Sequence, residues 1–73
     1  MNDGQVVKVI SWPEPNAPPR EATYVVAEPD SARAVDLLRR AVIGPHQRIE
    51  VIGGASKQLL HALALAPGQF TRT

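Results

Sequence analysis

Four of the seven prolines fall within nine residues, in the segment Trp12–Arg20 (WPEPNAPPR). Each proline removes a backbone donor and fixes φ near about −65°. Neither a helix nor an interior strand runs through such a segment, so residues 12–21 read as a stiff, polyproline-like loop. That loop divides the chain into a short piece before it and a longer piece after it. The residues flanking the loop are β-formers. Gln5 to Ser11 (QVVKVIS) and Ala22 to Ala27 (ATYVVA) are rich in β-branched and aromatic side chains and predict two strands. With a two-residue period, Val7 and Val9 share one face of the first strand and Val6, Lys8 and Ile10 the other. In the second strand, Thr23, Val25 and Ala27 oppose Tyr24 and Val26.

Helical periodicity begins after Pro29. Asp30 is placed to cap a helix N-terminus. Ala34, Leu37, Leu38, Ala41 and Val42 then recur on one helical face, with Arg33, Asp36 and Arg40 across from them. Asp36 stands four residues before Arg40, the favourable orientation for a helical ion pair. Gly44-Pro45 is a helix stop. Gln47 to Ile52 (QRIEVI) predicts a third strand with Ile49 and Val51 on its apolar face, and Gly53-Gly54 a turn. A second helix follows from Ala55 or Ser56 to Ala66, and residues 67–73 read as a flexible tail. The expected architecture is a single small α/β (α+β) domain over residues 1–73. Its elements run β-β-α-β-α, as a two-layer fold with a three-stranded mixed sheet and both helices on one face. The crossover through the first helix would make the second and third strands parallel.

At 73 residues the chain holds one domain, and 44% hydrophobic with 21% charged residues is globular composition. The absence of cysteine excludes a disulfide framework, a thiolate metal site and a thiol nucleophile. No apolar run is long enough to span a membrane, and the first residues lack a signal-peptide pattern. These features predict a soluble cytoplasmic protein without a membrane partner. Arginine outnumbers lysine six to two, and alanine, glycine and proline are abundant, a bias expected of a GC-rich bacterial genome.

Two functional readings follow. The first is a non-enzymatic interaction module that binds itself or a protein partner. It rests on Leu65, which falls among the polar residues Lys57, Gln58 and His61 and outside the Leu59-Leu60-Leu63 stripe of the second helix; such a helix has more than one partner. Trp12 beside the stiff loop is an anchor of the type enriched at binding hot spots. The alternative for Leu65 is that the C-terminal tail, with Phe70, folds back over it. Leu65, His61, Trp12 and Phe70 are therefore the candidate interface.

The second reading is an anion site for nucleic acid or a phosphorylated ligand. Residues 31–73 carry six cations against Asp36 and Glu50, whereas residues 1–30 are net acidic. Arg39, Arg40, Arg48 and Lys57 would supply charge, and Gly53, Gly54 and Ser56 a helix start open to phosphate. The segment matches neither nucleotide fingerprint, and arginines in a last helical turn already complement the helix dipole. Other motifs are weaker. Pro15, Pro18 and Arg20 fit a polyproline-ligand pattern. His46 and His61 have no metal-ligand spacing. Ser56, His61 and Asp36 form a triad only on paper, so no catalytic residue, metal or cofactor is assigned.

Overall fold

The computed structural model describes residues 3–41 and 46–73. Strands β1 (Gly4–Ser11) and β2 (Arg20–Val26) pair antiparallel on either side of the proline-rich loop, with Val7 opposite Tyr24 and Val6 opposite Val25. Helix α1 (Ser31–Ala41) follows, then β3 (Gln47–Ala55), the short helix α2 (Lys57–Ala62) and β4 (Phe70–Arg72).

The sheet corrects the expected architecture. Among the described residues it has four strands, in the order β3-β1-β2-β4. Every neighbouring pair is antiparallel, so the sheet is not mixed. The element order is β-β-α-β-α-β. β2 and β3 do run in the same direction, but β1 lies between them: the first strand pairs with both. The helices also lie on opposite faces. Leu38 and Ala34 of α1 pack with Val7, Val9 and Val26, and Tyr24, Leu37, Ile49 and Phe70 close around them. Leu60 of α2 packs with Val25, Ala27 and Ala55, beside Val6 and Leu65. Val25 and Val26 point to opposite sides of the pleat, so the chain builds a small core on each face. Leu38, Val7 and Val26 are wholly buried, each contributing about 1.5–3 kcal/mol relative to exposure.

A β-bulge lets β3 serve both cores. Val51 stands opposite Val7, and Gly53 opposite Val6, which leaves Ile52 without a partner on β1. The extra residue reverses the alternation. Ile49 therefore faces the α1 core and Ala55 the α2 core. Gly53 and Gly54 are strand residues, paired with Val6 and Gln5, where the sequence suggested a turn.

The helix boundaries have local causes. Asp30 Oδ1 accepts from the backbone N–H of Ala32 (2.9 Å) and Arg33 (3.2 Å), capping α1 as expected. The Asp36–Arg40 ion pair forms at 3.2 Å. The expected stop at Gly44-Pro45, and Val42, lie outside the described residues. Ser56 caps α2, its hydroxyl accepting from Leu59 N–H at 3.1 Å. α2 ends four residues before the expected Ala66. Leu65 N–H donates to Leu60 C=O and Ala64 N–H to His61 C=O, both at 3.0 Å. Those two bonds define a Schellman motif. Ala64 occupies its left-handed position, at φ 54°. The turn that launches β4 is type II. Pro67 and Gly68 are its central residues, Gly68 has φ 82°, and Gln69 N–H donates to Ala66 C=O at 2.9 Å.

Candidate functional site

Of the four residues of the candidate interface, only His61 and Leu65 come together. Trp12 is half-buried at the Ser11 end of the sheet, where its N–H donates to His46 C=O at 3.0 Å. His61 and Leu65 lie by α2, at the Gly4 end. Leu65 is not a helical residue: it is the residue after the left-handed Ala64, and it packs on the α2 core with Leu60. That apolar contact habitually accompanies a Schellman ending, and it gives Leu65 a structural reason for leaving the leucine stripe. Phe70 is on the other face, in β4, edge-on to Tyr24 with ring centroids 6.0 Å apart.

The basic set is likewise spread. Arg39 and Arg40 are in the last turn of α1, which approaches the Ser11 end; Gly53, Gly54, Ser56 and Lys57 lie at the Gly4 end. Arg40 is held by Asp36, Arg48 by Glu50 at 2.7 Å and Lys8 by Glu21 at 3.2 Å. The Ser56 hydroxyl is committed to its cap. The two glycines, being paired in β3, do not form a phosphate-cradling loop.

Clefts open at three places among the described residues. One, of about 370 Å³, lies between α2 and Ala27–Pro29 and is lined by Leu60, Leu65, Lys57 and His61. Another, of about 590 Å³, is formed by Trp12, Pro15, His46 and Gln47. A third, of about 220 Å³, lies among Arg20, Glu21, Tyr24 and Arg72. Among the described residues no polar or charged side chain is buried, so none of these clefts has the desolvated, fixed polar groups that orient a small ligand. No group of three or more histidine and acidic side chains among them is placed to hold a metal ion. No helix among them is long and apolar enough to cross a membrane.

The most unusual surface is the outer edge of β3. β3 is nine residues long and is an end strand of the sheet; among the described residues nothing pairs with its outer side. Natural sheets shorten or blunt such edges because an unpaired row of N–H and C=O groups accepts another strand. The strand at the other edge, β4, is only three residues long and covers Tyr24–Val26 of β2. β3 also carries exposed apolar side chains, Val51 at 39% and Ile52 at 55% of full exposure. Ile49 is half-buried beneath α1, and Arg48 and Glu50 stand on the opposite face.

The backbone directions along this edge follow from one hydrogen bond. The register sets Ser11 opposite Gln47, and so Trp12 opposite His46. The bond from Trp12 N–H to His46 C=O makes that a hydrogen-bonded pair. Facing residues in an antiparallel ladder alternate between bonded and non-bonded pairs. Arg48 and Glu50 therefore turn their N–H and C=O towards β1. Gln47, Ile49 and Val51 turn theirs outward.

Comparison with protein-family models, with curated proteins and with solved structures found no match to this chain.

Sequence reasoning did not single out Gln47, Ile49 and Val51. Their strand was legible, but its position at the edge depends on which strands flank β1, and that is a property of the assembled sheet. The nearest signal was the alternation Arg48-Ile49-Glu50-Val51, with opposite charges two residues apart.

Proposed function

We propose that this chain is a small protein-interaction module that acts by self-association, and that it is not a catalyst. One observation carries the reading: the long, open edge of β3 flanked by exposed Val51 and Ile52. Strand addition to such an edge supplies main-chain hydrogen bonds, and the alternate side chains supply specificity. This moves the contact from α2 and Trp12 to β3. The separation of Leu65, Trp12 and Phe70 over two faces and two ends of the sheet favours the move. Sedimentation equilibrium across the micromolar-to-millimolar range tests it. The expected result is a mass rising with concentration from the 7.9 kDa of one chain towards twice that value. A single 7.9 kDa species throughout refutes self-association.

A further inference from the structure

The geometry points to a specific partner and register for the β3 edge: a second copy of the chain, paired antiparallel about a two-fold axis at Ile49. This inference rests on the self-association reading and names the surface that performs it.

The register follows from backbone direction and charge. Gln47, Ile49 and Val51 present the outward N–H and C=O groups. In an antiparallel pair, outward-facing residues must meet outward-facing residues, so the two-fold axis passes through a residue and not between two. An axis at Arg48 sets Arg48 against its own copy, and an axis at Glu50 does the same with Glu50; like charges directly opposite are destabilising. An axis at Val51 draws the bulged Ile52 into the ladder. The axis at Ile49 avoids all three. Ile49 then exchanges both backbone hydrogen bonds with Ile49 of the second copy, and Gln47 does so with Val51 in both directions. Each Arg48 falls opposite a Glu50. Those charges already form an ion pair within one strand at 2.7 Å, on the face away from α1, with the Arg48 and Glu50 side chains 68% and 36% exposed. Two copies give a square of alternating charge on one face of the sheet. On the other face the two Ile49 side chains meet, flanked by the two α1 helices.

The absence of native cysteine permits a clean cross-linking test. Arg48 and Glu50 of the second copy would be a non-hydrogen-bonded pair with Cα atoms about 4.5 Å apart, within reach of a disulfide. R48C and E50C proteins are prepared separately, then oxidised alone and mixed. The expected result is a covalent dimer in the mixture and little in either protein alone. The companion test is charge exchange. R48E alone and E50R alone should each weaken the dimer roughly tenfold or more, since two attractive cross-strand pairs become repulsive. Mixing the two should restore the wild-type affinity in a heterodimer, by sedimentation or native mass spectrometry. Circular dichroism confirms that each variant is folded.

The outcomes separate the two levels. A wild-type dimer indifferent to both exchanges, with no disulfide-linked product when R48C and E50C are mixed, overturns this register and leaves self-association standing on another surface. Efficient cross-linking of R48C alone overturns it in favour of an Arg48-centred pairing. A monomer at every concentration overturns both levels.

Discussion

Gly4→Ala is the sharpest test of how β1, β2 and α2 meet. Gly4 is buried at the start of β1. A methyl group there would stand well inside van der Waals contact of the Val26 carbonyl oxygen, and 3.1 and 3.2 Å from the two terminal carbons of Leu60. The leucine can rotate away. The carbonyl belongs to the β2 backbone and moves only if the strands separate. Overpacking of this kind costs about 1–3 kcal/mol. The reduced entropy of the unfolded chain offsets about 0.4–1 kcal/mol of that. The net loss is about 1–2 kcal/mol, out of the roughly 4–11 kcal/mol expected for a domain of this length, or a fall in Tm of about 5–15 °C. Gly53→Ala is the matched control: the same change in a strand residue with nothing within 4 Å of the new methyl, expected to leave Tm unchanged or slightly raised. Thermal and urea unfolding followed by circular dichroism measure both. If Gly4→Ala unfolds at or above the parental temperature while Gly53→Ala falls, the account of this contact is wrong.

Three further substitutions probe other joints. Ala64→Gly should stabilise the protein by roughly 1 kcal/mol, because the left-handed conformation at φ 54° strains alanine and suits glycine; urea midpoints register the gain. Asp30→Ala removes the acceptor of two N–H groups at the start of α1 and should cost about 1 kcal/mol, with amide exchange fastest at Ala32 and Arg33. Leu65→Glu should cost at least about 1 kcal/mol, because it withdraws an apolar side chain from the α2 core. The same variant should leave sedimentation unchanged, since the self-association surface is β3; a loss of association at unchanged stability would return the interface to Leu65.

Local signals were legible where a few neighbouring residues decide the outcome. The capping of α1 by Asp30 and the Asp36–Arg40 pair are written within a handful of positions, and both are present. The face assignments of β1 and β2 hold as well, because strand alternation is a property of one strand. What failed depends on distant partners. β4 has three residues, too few to show a period, and it is a strand only because β2 offers it an edge. Pro67 and Gly68 follow directly on the expected helix end at Ala66, and they form the turn that sends the chain back along β2. The bulge at Ile52 hid the second core: Ile49, Val51 and Ala55 share a parity that a regular strand would keep on one face. The candidate site suffered likewise. Leu65 stood out because the helix was read too long, and the open edge had no signature because an edge is defined by what is missing beside it.

The unequal lengths of the two sheet edges bear on how far such a chain can assemble. Growth by strand addition needs a usable edge on each side of the unit being added. Here one side offers nine residues in one strand, and the other the three of β4 with Arg20–Ala22 of β2 stepped back behind them. Once two copies join their long edges, each outer edge left is a three-residue β4 with the uncovered Arg20–Ala22 stretch of β2 beyond it, a stepped edge with no long row of groups to template another sheet. An isologous contact of this kind closes on itself, whereas a head-to-tail contact between two long edges would propagate into a fibre. The brevity of β4 thus works as a chain terminator, and Arg72 at its end places a charge where a further copy would have to dock.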